Sequence, residues 1–526
     1  MAAIEHSESS SDRLGGRLSR RRALQTGAGL AALAAVARKS PALAQQATPA
    51  AAGITADGDI AQRLDEFITL KLAVYGVPGA AVSLVHGNQV LLSKGYGVRE
   101  LGKPGAVDAA TVFQLASNSK PMTAAALGAL VDAGKMTFDT PVIELLPEFA
   151  LSDPTATRNC TSRDLLAHRS GLPAFTGDGL GLFGYDRAEC LHRVRALDIG
   201  GRFREEARYS NIGFFAAGET LARVNGTDWE TAMNQRLYQP LGLARTMSMK
   251  TGQPADGNAS RNHAMVAGVN TVFDWDDSVV FGAAGGIVST ADDMAVWMQM
   301  LLAQGGRVLK PETVADIFRP SMVGDISFSE FPPISAETGF DYGLGWGSFH
   351  VNGRVVLEKG GALGGIRTVV ELIPSLGVGV TVLANQNLTG LPEAIRAFVL
   401  EQYLGPSAPD TQDVIESRWR QLLTLFDAPP IPAAVAAASV PLEALIGSYD
   451  HAYYGTFRIV AEGAGLAVHA GPAAYHATLQ HLNYDAFLLK FPSVTSTGEQ
   501  IIFSFDANGV PISFLGETYG TFARMS

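Results

Sequence analysis

Ser117-Asn118-Ser119-Lys120-Pro121-Met122-Thr123-Ala124-Ala125-Ala126-Leu127-Gly128-Ala129-Leu130-Val131-Asp132-Ala133-Gly134 is the stretch whose reading decides the architecture. Residues 118–133 are dense in Ala and Leu, and Gly134 stands where a left-handed helix cap is wanted, so a buried helix is expected there. Its polar residues sit at the start. Ser117 and Lys120 are three apart, which brings the ammonium to the hydroxyl within one turn. A serine hydroxyl is a poor nucleophile until a neighbouring base takes its proton, and a desolvated lysine can do that. The helix N-terminus adds free N–H groups and positive potential for a developing oxyanion. The spacing alone is weak evidence, since a serine at this place is ordinarily a cap.

Two further groups follow in order. Tyr209-Ser210-Asn211 enters a second Ala-rich helix expected over 212–224. A tyrosine oxygen near Lys120 would be held as a phenolate or shuttle the proton, and Asn211 would bind a substrate amide or orient Lys120. Lys359-Gly360-Gly361 then precedes two apolar, β-branched runs, 368–373 and 377–383, read as a strand pair. Glycines there let a substrate approach a strand edge, and Lys359 adds positive charge. Each group alone has a bland reading: a cap, a packed tyrosine, a glycine turn. Together, in this order and in these elements, they read as an active site.

The set resembles the serine β-lactamase and penicillin-binding-protein superfamily, in its class C-like branch of D-aminopeptidases and esterases. Further landmarks are Leu165-Leu166-Ala167-His168-Arg169-Ser170-Gly171-Leu172-Pro173, Gly285-Gly286-Ile287-Val288-Ser289-Thr290 and Tyr342-Gly343-Leu344-Gly345-Trp346, and the likeness covers residues 60–405. It implies Ser117 as nucleophile, Lys120 and Tyr209 as general bases, and Asn211 in substrate binding, beside Lys359 and Gly361, which the residues themselves offer to a substrate. It also implies an oxyanion hole from the backbone N–H groups of Ser117 and Ala362, with no metal and no organic cofactor. Lys250-Thr251-Gly252 spells the third motif literally, but it lies 41 residues after Tyr209 with no strand pair following, and is rejected.

Gly360 departs from the pattern. β-Lactamases and carboxypeptidases of the superfamily tend to carry a hydroxyl there that binds the substrate carboxylate, and relatives with His-x-Gly have a histidine where Lys359 stands. Arg367 is the alternative candidate for carboxylate recognition, beside its reading as a solvated surface residue. His168 reads as a structural hydrogen-bonding residue. The resulting expectation is an exported serine hydrolase that cleaves an amide through an acyl-serine. Its substrates would be peptides with D- or unusual residues, such as linearised cyclic peptides. The alternatives are an esterase of the same fold, and a penicillin-recognising protein that acylates without turnover or acts as a weak β-lactamase.

Working outward, residues 1–44 pair Ser19-Arg20-Arg21-Arg22 with a short apolar stretch and Ala42-Leu43-Ala44. This resembles a twin-arginine export signal, implying a periplasmic protein from which 1–44 are removed. An Ala-rich tether follows, then a helix expected over 60–74 and a hairpin of strands 80–85 and 90–92 around His86-Gly87-Asn88-Gln89. Strands at both ends with helices between imply an α+β domain, 45–405: an antiparallel sheet flanked by helices, with an all-helical subdomain. Residues 406–441 read as a helix and a Pro/Ala-rich linker, and 442–526 as a small β-barrel or sandwich of short alternating strands.

The leader carries seven basic and three acidic residues of the chain's 40 and 51, so the remainder is left at −15. So acidic a body is repelled by phosphate backbones, which excludes a nucleic-acid partner. No apolar run is long enough to span a membrane. The partner expected is a small molecule or peptide, and oligomeric state is not legible. There is no H-E-x-x-H and no G-x-S-x-G. Two cysteines, Cys160 and Cys190, exclude a disulfide scaffold and a four-cysteine zinc site, and read as buried or surface thiols whose pairing is left open.

Overall fold

The apolar runs near residue 80 and near residue 380 need a common partner, and each supplies it for the other. The computed structural model describes residues 57–266, 268–275, 280–323, 337–406, 410–426, 436–492 and 498–526. Strands β1 (Gly79–His86) and β2 (Gln89–Gly97) form the expected hairpin. On its other edge β1 pairs antiparallel with β8 (Val378–Ala384), in the register Ala80 opposite Ala384 to His86 opposite Val378. The sheet continues through β7 (Ile366–Ile373), β6 (Arg354–Leu363), β5 (Gly347–Val351), β4 (Glu337–Tyr342) and β3 (Met322–Val323), giving eight antiparallel strands in the order β2-β1-β8-β7-β6-β5-β4-β3.

Period-two alternation splits the core in two. Ala80, Val82 and Leu84 face one side with Val378, Val380 and Val382, under helices α1 (Asp57–Tyr75), α5 (Leu391–Leu404) and α6 (Thr411–Phe426). Helix α1 meets this face through Ile60, Leu64 and Ile68, spaced four apart. Ala81, Val85 and Leu383 face the other side, where α2 (Ser119–Asp132), α3 (Asn211–Asn225) and α4 (Ala291–Leu302) build the larger core. Eleven of the fourteen residues of α2 are buried, which explains why its sequence is apolar all round.

One expectation is revised, and one choice left open between barrel and sandwich is decided. Lys359-Gly360-Gly361 lie inside β6, not ahead of a strand pair. Charges and two glycines interrupt Arg354-Val355-Val356-Leu357-Glu358-Lys359-Gly360-Gly361-Ala362-Leu363, so no strand period is visible there. The C-terminal region is a closed barrel, because its first strand pairs with both the second and the last. The strands are β9 (Gly447–His451), β10 (Gly455–Glu462), β11 (Gly465–Ala470), β12 (Tyr475–Asn483), β13 (Ala486–Lys490), β14 (Glu499–Phe505), β15 (Pro511–Gly516) and β16 (Gly520–Arg524). Phe457, Phe514 and Phe522 pack with ring centroids 4.4–4.7 Å apart along Phe457–Phe522–Phe514, so side chains fill its interior. The leader, most of the tether and 427–435 of the linker lie outside the described residues, among which no helix is long and apolar enough to cross a membrane.

Candidate active site

A strand, Phe113–Gln114, passes through a 3₁₀ turn, Ala116–Asn118, into α2. Ala116 takes φ +50°, a left-handed conformation unusual for a side-chain-bearing residue, immediately before Ser117. The elbow is held from both sides. Leu115 N–H donates to Ile287 O at 2.9 Å. Thr368 on β7 donates its hydroxyl to Leu115 O at 2.9 Å and accepts from Asn118 Nδ2 at 2.9 Å. Strand β6 passes so near that a Cβ on Gly361 would fall 2.5 Å from Leu115 O and 3.1 Å from Ser117 N. Only glycine permits that approach, and it sets the Gly361-Ala362 backbone beside the Ser117 amide.

Helix geometry then aims the side chains. Lys120 Nζ lies 3.1 Å from Ser117 Oγ, and also bonds Asn211 Oδ1 at 2.7 Å and Ala284 O at 2.9 Å. Lys120 is fully buried, and desolvation, reinforced by the charge of Lys359 and opposed by Asp178, holds its pKa well below the usual lysine range. A neutral amine has two N–H donors and one lone pair. Asn211 Oδ1 and the Ala284 carbonyl, which can only accept, take both donors. The lone pair is left facing Ser117 Oγ, the geometry of a base ready to receive the serine proton.

Tyr209, just ahead of α3, donates its hydroxyl to Ser117 Oγ at 2.8 Å. Burial, then the neighbouring Tyr342, raises its pKa well above the ordinary value, against the pull of the Ser117 hydrogen bond. Tyr209 is therefore a protonated donor here, not the phenolate that the sequence left open. Lys359 Nζ lies 4.8 Å from the Tyr209 ring centroid and Lys120 Nζ 4.7 Å from it. Burial lowers Lys359 to about 8, with Glu358 opposing. His168 accepts from Ser210 N at Nδ1, 3.0 Å away, and its ring lies 4.4 Å from that of Tyr209. Burial, then the Lys120 and Lys359 charges, holds His168 neutral, so it orients the tyrosine turn and carries no charge to the site.

The structure thus gathers Ser117, Lys120, Tyr209, Asn211, Lys359, Gly361 and Ala362. Arg367 is a correction. It is buried on β7, bonded by Nε to Glu393 Oε1 at 2.8 Å and by Nη1 to Gly361 O at 3.4 Å, so it is not a surface residue, and its guanidinium is engaged within the fold. The cause is strand alternation: Thr368 faces the elbow, and its neighbour must face α5. Lys250 is more than half exposed, in a 3₁₀ turn after the two-residue strand Met247–Ser248, and its nearest carboxylate is Glu230 at 4.0 Å. Cys160 and Cys190 are both free and buried. Among the described residues no three His, Cys, Asp or Glu converge to hold a metal ion.

Sequence reasoning missed Thr368, Asn118, Ala284 and Asp178. The first was detectable as a hydroxyl in the apolar run Ile366-Arg367-Thr368-Val369-Val370. Asp178 accepts from Asn211 Nδ2 at 2.7 Å, yet stands in a Gly-rich loop that offers no periodic signal.

Residues 61–404 match the Beta-lactamase family model. The chain belongs to the beta-lactamase family. It is accordingly a serine hydrolase of that fold. Residues 432–517, which span most of the barrel, match a domain of unknown function, DUF3471. The unguisins hydrolase ungD of Aspergillus violaceofuscus is 24% identical over 504 residues, covering 86% of this chain and 87% of that protein. Penicillin-binding protein 4 of Amycolatopsis lactamdurans is 30% identical over 59% of this chain and 81% of its own length. Among solved structures, the octameric penicillin-binding protein homologue from Pyrococcus abyssi superposes with a TM-score of 0.59 at 21% identity, covering 88% of this chain and 99% of that one.

Proposed function

We propose that this beta-lactamase-family hydrolase cleaves amide bonds of peptide substrates through an acyl-Ser117 intermediate, with Lys120 as the base and Tyr209 as the proton relay. The observation that carries this reading is the Lys120 contact set: Nζ lies 3.1 Å from Ser117 Oγ, with Asn211 Oδ1 and Ala284 O as its other partners, so an amine that has lost its proton keeps its lone pair for the serine. In acylation, Ser117 Oγ attacks the substrate carbonyl as its proton passes to Lys120. Charge on the carbonyl oxygen is met by the N–H groups of Ser117 and Ala362. Lys120 then returns the proton through the Tyr209 hydroxyl to the departing amine, and water hydrolyses the ester by the reverse relay. The buried cation of Lys359 beside the tyrosine favours substrates that place a carbonyl or carboxylate there.

A relative named as an unguisins hydrolase, matched along most of both chains, supports a hydrolase that turns its substrate over. The leader 1–44 supports an exported, periplasmic enzyme, testable by the size and compartment of the mature chain. An esterase reading rests on Gly360, which offers no hydroxyl to a substrate carboxylate. A fluorophosphonate probe, mapped by mass spectrometry, should label Ser117 in the wild type and nothing in Ser117→Ala. Turnover of D- and L-aminoacyl amides beside short acyl esters decides between the two substrate classes. Labelling elsewhere overturns Ser117 as the nucleophile, and an acyl adduct formed from substrate that persists for hours without product overturns the proposed turnover.

A further inference from the structure

Asn211 reaches Lys120 through its carbonyl oxygen, and something must keep its amide from turning over. A flipped Asn211 would present Nδ2 to Lys120, setting donor against donor and pushing the lysine lone pair away from Ser117. Asp178 Oδ2, 2.7 Å from Asn211 Nδ2, prevents this, because an ionised carboxylate accepts and does not donate. Asp178 is partly screened as a residue, and its Oδ1 is buried without a hydrogen-bond partner among the described residues. Burial pushes its pKa up to about 6, against the Asn211 hydrogen bond and the Lys120 charge. The carboxylate is thus anionic at neutral pH while contributing an attraction to Lys120.

The loop that carries Asp178 is gripped from two directions. Phe175 N–H donates to Tyr209 O at 2.9 Å and its ring stacks on that of Tyr209, with centroids 5.0 Å apart. On the far side the barrel reaches in at the turn between β9 and β10. Tyr453 donates its hydroxyl to Gly177 O at 3.0 Å, and a Cβ on Gly177 would lie only 2.5 Å from that hydroxyl oxygen. Arg193 bonds the carbonyls of Ala452 and Tyr453 at 3.2 and 3.1 Å, tying the same turn to the catalytic domain.

We propose that Asp178 is a positioning residue for the Lys120 base, acting through the Asn211 amide, and that the C-terminal barrel holds Asp178 in place through Tyr453. The inference rests on the acyl-serine reading above and deepens it. The barrel is then part of the catalytic apparatus of the full chain, and a change in it is felt at Ser117 through three contacts: Tyr453 to Gly177, Asp178 to Asn211, Asn211 to Lys120.

The test uses the full-length protein. Asp178→Ala removes the acceptor and should lower kcat by about 10–100-fold, the usual effect of a slightly misplaced catalytic group. Asp178→Asn can still accept from Asn211 Nδ2 and should restore most of that loss. Because Asp178 carries the negative charge that faces Lys120, while Lys359 is positive and Tyr209 and His168 are neutral, the same variant should move the acidic limb of kcat/KM to lower pH. Tyr453→Phe should lower kcat in the same sense by a smaller factor. In an Asn211→Ala background, Asp178→Ala should add little further loss, as expected of residues acting in series. Independent, multiplicative losses in that cycle, or full activity of Asp178→Ala in a protein whose Ser117 still takes the fluorophosphonate label, overturn the positioning role. Absence of the label from wild-type Ser117 instead overturns the acyl-serine reading beneath it.

Discussion

Tyr209→Phe separates a proton relay from a base. The substitution leaves the ring among His168, Phe175 and the Lys120 and Lys359 side chains and removes only the hydroxyl that donates to Ser117 Oγ at 2.8 Å. A single acid–base group is worth about 10²–10⁴-fold in rate, or roughly 3–5 kcal/mol of barrier. The fold should scarcely register the change: one hydrogen bond nets about 1 kcal/mol, or a Tm shift of about 1–2 °C in a domain of this size. The assay is kcat/KM against pH on an aminoacyl anilide, beside calorimetric unfolding. Lys120 has its pKa lowered, so activity rises with pH as Lys120 loses its proton, and this defines the acidic limb. Tyr209 stays protonated throughout, so Tyr209→Phe should lower the plateau and leave the limb where it is. A loss under about tenfold, or a limb that moves with the substitution, would refute the division of labour between Lys120 and Tyr209.

Lys359 is protonated below its pKa of about 8 and loses its charge above it, so wild-type activity should fall as pH rises through that value. Lys359→Met should abolish this alkaline limb and, by removing the charge that depresses Lys120, move the acidic limb to higher pH. Lys250→Ala, at an exposed site, should leave kcat/KM within about threefold of wild type. Arg367→Met strands Glu393 in the core and should cost about 3–5 kcal/mol in thermal unfolding, while the ratio of KM values for free-carboxylate and amidated substrates stays unchanged. Thr368→Val leaves Asn118 Nδ2 unsatisfied, at about 1–3 kcal/mol, and takes from Leu115 O one of its two donors, the other being the Asn118 N–H at 3.2 Å. A slower fluorophosphonate reaction with a lowered Tm should follow, whereas a stable and fully reactive variant would show that the elbow does not depend on β7.

Sequence alone determined the features that repeat locally. The Ala-rich run after Ser117, the apolar strand runs at 80–85 and 377–383, and the short alternating barrel strands are all legible within a dozen residues, because helices and strands bury their side chains at a fixed spacing. The three-residue step from Ser117 to Lys120 is likewise a local consequence of helical geometry. Tertiary structure decided what depends on residues far apart in the chain. The loss of water around Lys120, which lowers its pKa, comes from packing against Ala284, Asn211 and Tyr209, 91 positions away in Asn211's case. Strand β6 was invisible because its lysine and glycines answer to the elbow and not to a strand period. Arg367 looked like a surface residue until its partner, Glu393, was brought against it from α5. Asp178 had no signal at all, since its role depends on one amide of α3 and one hydroxyl of the barrel, neither of which lies near it in sequence. Local periodicity is written residue by residue, but desolvation and hydrogen-bond direction are properties of the assembled neighbourhood, and they decide which of these groups can do chemistry.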